Sequence, residues 1–213
     1  MATHEQCWQC GTPDVTSLFC RYCNSLQAPT PDYFEFFGIP RDLSIRPNQL
    51  QQQFYSLSRL LHPDHYTRRS EQEKRYSLEA SSILNDAYRV MRDPIQRAEY
   101  VLKEAGFEIG EQRSKDVPPE LLEEVFELNM ALDELRHGDQ EVLPQLDESR
   151  LHFLQMLASL DDELENLFSK HDGCASGQER QGVLAEIRSL LNRRRYIKNL
   201  VNEVDKQLTA RNA

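Results

Sequence analysis

Leu57-Ser58-Arg59-Leu60-Leu61-His62-Pro63-Asp64 decides how this chain folds. Upstream of it, Leu50, Phe54, Leu57 and Leu61 recur at helical spacing, which puts them on one face. Pro47 suits the first turn of that helix, where its missing N–H costs nothing. Pro63 then stops it, because proline cannot continue the backbone bonding. A second helical pattern opens at Ser70, with Glu73 placed for a capping box. Its apolar face reads Tyr76, Ala80, Ile83, Leu84, Ala87 and Met91. The stretch therefore predicts two antiparallel helices joined by a tight loop with His62-Pro63-Asp64 at its tip.

Outward from the hairpin, the remaining chain is also helical by pattern. Tyr33, Phe34, Phe36 and Phe37 form an aromatic opening closed by Gly38. Asp93-Pro94 ends the second helix, and residues 95–105 give a shorter one closed by Gly106. Residues 107–117 lack helical periodicity and read as a linker. Residues 118–213 carry three more helices, expected near 120–135 (opened by Pro118-Pro119), 141–170 and 178–208, and short connections favour an antiparallel bundle. No strand alternation shows outside the first 29 residues, and no internal repeat is expected. The expected segments are 1–29, 30–106, the linker 107–117, and 118–213.

Hydrophobic residues make up 39% of the 213 and charged residues 28%, which suits a soluble helical protein. No apolar run approaches the ~18 residues of a membrane span. The first residues, Met1-Ala2-Thr3-His4-Glu5, do not read as a signal or transit peptide. A net charge of −10 argues against bulk nucleic-acid or anionic-membrane binding. The charge is uneven. Residues 40–115 hold 13 Lys/Arg against 11 Asp/Glu, whereas residues 116–168 hold 15 acids against 2 basic residues. The two regions are expected to meet different partners.

Four of the five cysteines fall in the first 23 residues as C-x2-C-x9-C-x2-C: Cys7, Cys10, Cys20 and Cys23. Two such pairs place four thiolates around one tetrahedral ion. Zinc suits a closed structural site, iron in a rubredoxin-like geometry competes, and two disulfides would require an oxidising compartment. The segment has too few apolar residues to fold unaided, so metal binding, worth on the order of 10 kcal/mol in such units, is what would fold it. Arg21 is the single basic residue between Cys7 and Cys23, which argues against nucleic acid here. Cys174, near a Gly/Ser-rich turn, reads as a lone thiol.

Residues 32–105 resemble a J-domain, the module that docks on a chaperone ATPase and triggers ATP hydrolysis. The likeness rests on His62-Pro63-Asp64, on Leu84-Asn85-Asp86-Ala87-Tyr88-Arg89-Val90-Met91-Arg92-Asp93-Pro94, and on Gln96-Arg97-Ala98-Glu99-Tyr100. It implies that His62, Pro63, Asp64 and Arg59 meet the chaperone. The family's second helix is normally rich in Lys/Arg, but here it shows Gln51, Gln52, Gln53, Tyr55 and Ser58 beside Arg59. Charge steering should be weaker for that reason, with Arg46, Arg68 and Arg69 as partial compensation. His65 and Tyr66 stand where a basic residue is usual. His62 also admits two other readings, an ordinary turn histidine or a metal pair with His65.

The helix near 120–135 carries two apolar stripes. Leu121, Val125, Leu128, Leu132 and Leu135 form one, and Leu122, Phe126 and Met130 a second, flanked by Glu123, Glu127 and Glu134. Either both are buried, or the second is an apolar patch with an acidic rim that fits a partner. A J-domain followed by an acidic three-helix bundle resembles the HscB co-chaperones of iron–sulfur cluster biogenesis, and the added tetracysteine segment resembles their animal mitochondrial form. Arg97-Ala98-Glu99-Tyr100-Val101-Leu102 and Glu124-Val125-Phe126-Glu127-Leu128-Asn129 carry that likeness. It implies a scaffold-binding face at Leu122, Phe126, Glu127, Met130, Glu134 and Tyr196. Met130 stands where bacterial members carry an acid. Arg193-Arg194-Arg195 either pair with the acidic first bundle helix or are solvated.

The resemblance implies a non-enzymatic co-chaperone. It would bring the scaffold of a nascent iron–sulfur cluster to a heat-shock-70 class chaperone and stimulate that chaperone's ATPase. No nucleophile–base set or phosphate loop is legible. The expectations are a monomer or weak homodimer in the mitochondrial matrix, with the cytosol as alternative, and no nucleic-acid or membrane partner. A general J-protein for unfolded clients is the alternative function, and a zinc-dependent nucleic-acid or redox protein a more distant one.

Overall fold

The computed structural model describes residues 4–15, 17–108 and 121–210. Two short strands, β1 (His4–Gln6) and β2 (Pro13–Val15), pair antiparallel with His4 opposite Val15. Among the described residues seven helices follow: α1 (Tyr33–Phe37), α2 (Pro47–Leu61), α3 (Glu71–Met91), α4 (Pro94–Glu104), α5 (Leu122–Arg136), α6 (Leu143–Asp172) and α7 (Gly177–Ala210). A 3-10 turn, Pro63–Tyr66, joins α2 to α3. The mostly helical class, the hairpin around His62 and the three bundle helices are thus as the periodicity predicts. The Pro118-Pro119 helix start and most of the 107–117 linker lie outside the described residues.

The chain divides into two compact units, residues 1–100 and 101–213, the boundary falling inside α4. The cysteine segment and the helical hairpin share the first unit.

In that first unit, Asp32 caps α1 by accepting from the backbone N–H of Phe34 and Glu35, each at 3.0 Å. Gly38 closes α1 at φ 64°, a left-handed conformation that glycine adopts without strain. The aromatic opening is core: Phe34, Phe36 and Phe37 are all buried, and Tyr33 stacks on Tyr100 at 4.5 Å. Along α3 the buried stripe is Glu73, Ser77, Ala80, Leu84, Ala87 and Met91, alternating steps of four and three. Phe54 of α2 stacks on Tyr88 of α3 at 4.2 Å, so it is packed although not fully buried. Ser70 accepts from the Glu73 N–H at 3.2 Å, as the capping box predicts, while the Glu73 carboxylate accepts from the Ser70 hydroxyl.

Arg97 is buried, its Nε donating to the Leu43 carbonyl at 2.9 Å and its Nη1 to the Met91 carbonyl. It clamps the α1–α2 loop and the end of α3 to α4.

In the second unit, Leu121, Val125, Leu128 and Leu132 of the α5 region meet Leu146, Phe153 and Leu160 of α6 and Ile197, Val201 and Val204 of α7. Three ion pairs fix the antiparallel register of α6 and α7: Arg150 with Asp205, Asp161 with Arg194, and Lys170 with Glu186. As one number rises along α6, its partner falls along α7. Arg194 therefore does not stand solvated. Its guanidinium meets Asp161 of α6, with Nη2 3.2 Å from Oδ2.

Candidate functional site

Cys7 and Cys20 each begin a turn of the same shape. The Gly11 N–H reaches the Cys7 carbonyl at 2.9 Å, and the Asn24 N–H reaches the Cys20 carbonyl at 2.8 Å. The Cys7 N–H donates to Thr12 O at 2.7 Å, the Cys20 N–H to Ser25 O at 3.0 Å. Gly11 at φ 71° and Asn24 at φ 58° are both left-handed, the region those two residue types enter most readily. Thr12 Oγ1 lies 3.1 Å from Cys10 Sγ, and Ser25 Oγ 3.0 Å from Cys23 Sγ. The two pairs are a short internal repeat, Cys-x-x-Cys followed by Gly or Asn and then Thr or Ser. The expectation of no internal repeat missed it because the unit is only six residues long.

These turns bring the four Sγ atoms within 4.8 Å of one another. Cys7 and Cys23 are 3.6 Å apart, Cys10 and Cys20 3.7 Å. A disulfide needs ~2.05 Å, and all five cysteines are free thiols, so the disulfide reading has no support here. A tetrahedral ion with ~2.3 Å bonds to sulfur separates its ligands by ~3.8 Å. The donor set thus fits one metal ion held by four thiolates. Cys7 and Cys20 are buried while Cys10 and Cys23 face solvent. Burial pushes the Cys7 thiol up, but the Ser25 hydroxyl and the backbone at Cys10 and Gln9 outweigh it and hold the group at about 5. The Thr12 hydroxyl brings Cys10 down as well. Ser25 draws Cys23 down, yet partial desolvation and the neighbouring Cys10 and Cys20 sulfurs leave it above its ordinary value.

Two residues that the spacing did not reveal hold this segment in place. Buried Gln27 donates to the Ser25 carbonyl at 2.9 Å and to Cys7 Sγ at 3.4 Å. Trp8 donates from Nε1 to the Leu26 carbonyl at 2.8 Å and meets the Tyr76 ring of α3 edge to face at 6.4 Å. Trp8 is a large aromatic beside a ligand, which is the signal that could have found it.

At the other end of the hairpin, His62 has φ −58° and ψ 128°, the extended backbone that a following proline demands. Its Nδ1 accepts from the Asp64 N–H at 3.3 Å, so the ring proton belongs on Nε2. Asp64 projects a carboxylate whose side chain is 85% exposed, and His62 is 55% exposed. The loop is pinned from behind. Tyr66 is buried and donates to the Leu60 carbonyl at 3.1 Å, while Ser77 and Ser81 of α3 both donate to the Leu61 carbonyl, at 2.7 and 3.1 Å. Side chains thereby satisfy carbonyls that a helix end leaves open. His62 and His65 have ring centroids 6.2 Å apart, and among the described residues only the four cysteines gather as metal donors. Arg59 is exposed on the last turn of α2, amid Gln51, Gln52, Tyr55, Ser56 and Leu60, also exposed.

On α5 the two stripes part. Leu121, Val125, Leu128 and Leu132 are buried, whereas Leu122 is 56% exposed, Phe126 65% and Met130 49%. Glu123, Glu127 and Glu134 are exposed around them. Within the bundle, α6 and α7 cover the first stripe and leave the second exposed. Tyr196 of α7 is half-buried against the bundle core, and burial pushes its hydroxyl pKa up.

Two family models match: one described as the DnaJ domain over residues 32–100, and one described as the HSCB C-terminal oligomerisation domain over residues 117–205. A Vibrio vulnificus co-chaperone protein HscB homolog is 37% identical over 139 residues, covering 63% of this chain and 81% of that protein. The human iron-sulfur cluster co-chaperone protein HscB is 29% identical, covering 95% of this chain and 82% of that protein. The crystal structure of human co-chaperone protein HscB superimposes with a TM-score of 0.71 and 28% identity, over 95% of this chain and 98% of that one. Chaperone HscB from Vibrio cholerae gives a TM-score of 0.53 at 25% identity, over 82% of this chain and 96% of that one.

Proposed function

Because the chain belongs to the HscB co-chaperone family, we propose that it binds an iron–sulfur cluster scaffold, delivers it to a heat-shock-70 class chaperone and stimulates that chaperone's ATPase so that the cluster can be passed on. The observation that carries this reading is the His62-Pro63-Asp64 tip. An outward carboxylate and an imidazole N–H stand side by side on backbone fixed by Pro63 and by three side chains behind it. Such a tip arrives at a partner already ordered and loses little entropy on binding.

The exposed Leu122, Phe126 and Met130 supply the second contact. An apolar stripe with Glu127 and Glu134 at its edge fits a folded partner that offers an apolar patch with basic neighbours. Tyr196 belongs to this face by family resemblance. The chain performs no bond-breaking itself; hydrolysis takes place in the partner.

Cys7, Cys10, Cys20 and Cys23 would hold one zinc ion. Four thiolates suit it, and a bound ion supplies the cross-link that folds the segment. Human HscB aligns over 95% of the chain, which extends into this segment; the animal mitochondrial form and a matrix location are what the family resemblance implies.

The test is a steady-state ATPase assay of a mitochondrial heat-shock-70 class chaperone, with and without the iron–sulfur scaffold. The chain should stimulate hydrolysis, and scaffold should add to it. His62→Gln should abolish stimulation while leaving scaffold capture intact. Stimulation that survives His62→Gln would refute the reading.

A further inference from the structure

A cavity of about 660 Å³ lies between the cysteine segment and α2, within the ~300–1,000 Å³ of typical ligand clefts. Leu18 and Phe19 of the cysteine segment line one side, and Gln52, Gln53 and Leu60 of α2 another. Glu35 is the single charged residue among those lining it. The wall from α2 ends at Leu60, two residues before His62, and the Leu60 carbonyl accepts from Tyr66 of the loop, so the edge of the cleft lies beside the tip. Leu60 is 55% exposed, and the Gln53 Oε1 has no hydrogen-bond partner among the described residues.

We propose that this cleft is part of the chaperone-docking surface, and that its occupant is a neutral, extended segment of the same chaperone whose ATPase the tip stimulates. The inference rests on the proposed function and adds the cysteine segment to the dock. Three features select that occupant. Apolar side chains and glutamine amides match a strand-like peptide, which offers apolar side chains and backbone N–H groups in alternation. A cleft with one charge offers little to a strongly basic or acidic ligand. Continuity with the tip means that one partner covers both at once.

The same arrangement explains the charge-poor second helix. Where α2 carries glutamines in place of basic residues, attraction at long range is exchanged for contact at short range, with Leu18 and Phe19 supplying part of the wall. Trp8 against Tyr76 holds that wall to the hairpin and Gln27 against Cys7 braces the segment internally, so the metal-bearing segment acts as a fixed lip of the dock.

The test uses the full metal-loaded chain with the mitochondrial chaperone. Leu18→Asp and Leu60→Asp each place a charge in the cleft. Each should raise the concentration giving half-maximal ATPase stimulation about tenfold, the effect of losing one good apolar contact. Maximal stimulation at saturation and metal content should stay unchanged. A photoreactive amino acid at Gln52 should cross-link to the chaperone. Unchanged half-maximal concentrations in both variants, while His62→Gln still abolishes stimulation, would overturn the cleft and leave the proposed function standing. An effect of Leu60→Asp alone would remove the cysteine segment from the dock and overturn the inference. Cross-linking to a second copy of this chain, or to the scaffold, would overturn it equally. Should Leu18→Asp lose its metal, the cross-link decides.

Discussion

The Tyr66 hydroxyl donates to the Leu60 carbonyl at 3.1 Å, closing the loop that carries His62, Pro63 and Asp64 back onto the helix it leaves. The ring is buried and the bond replaces water at a helix end. Tyr66→Phe keeps the ring and removes the bond. It should cost about 1 kcal/mol in denaturant unfolding. It should also lower maximal ATPase stimulation by loosening the tip, with scaffold capture unaffected.

The two stripes of α5 separate stability from recognition. Leu128 is 1% exposed, so Leu128→Ala should destabilise the bundle by about 2–5 kcal/mol. Leu122→Ala with Phe126→Ala should change stability by less than about 1 kcal/mol and abolish scaffold capture in a pull-down. Retained capture by that double variant would sink the scaffold face.

Metal removal has a built-in reporter, since Trp8 is the chain's single tryptophan and sits between the cysteine turns and Tyr76. A strong chelator should red-shift its emission, leaving helical circular dichroism nearly unchanged. Acid should act in the same direction. Cys7 is held down at about 5, so its thiolate supports the fold fully above the ordinary thiol range, and that support disappears as pH falls through about 5. Emission and metal release should shift together on acidification. Emission indifferent to chelation would show that the metal does not fold this segment.

Arg97 should prove structural. Arg97→Met leaves the carbonyls of Leu43 and Met91 without this donor, at about 1–3 kcal/mol each. Lysine should not rescue it, because one ammonium cannot reproduce a planar fork directed at two carbonyls. Urea midpoints of the two variants measure this.

Much of the candidate site was legible in the residues. The four cysteines announced a shared ligand set by spacing alone, and the structure brings their sulfurs together. His62-Pro63-Asp64 was recognisable because a proline at the end of a helical pattern cannot continue the helix. Tyr66 was legible only as a departure from the usual basic residue, for nothing in its neighbours says that its hydroxyl folds back to Leu60. Gln27 and Trp8 read as ordinary side chains until the turns at Cys7 and Cys20 placed them. The pairing of Arg194 with Asp161 was not legible, since sequence cannot say which acid on another helix lies opposite it.

The sequence by itself determined what is local: where helices begin and end, which residues share a face, and that four thiols can meet. Helical period, proline geometry and capping act over a few residues and need no partner. The tertiary structure decided which of the two apolar stripes on α5 is covered. Leu128 is buried and Phe126 is not, because α6 and α7 pack on one side of the helix alone. Tertiary packing likewise set the cysteine segment beside α2 and made a cleft where the sequence showed only a helix short of charge.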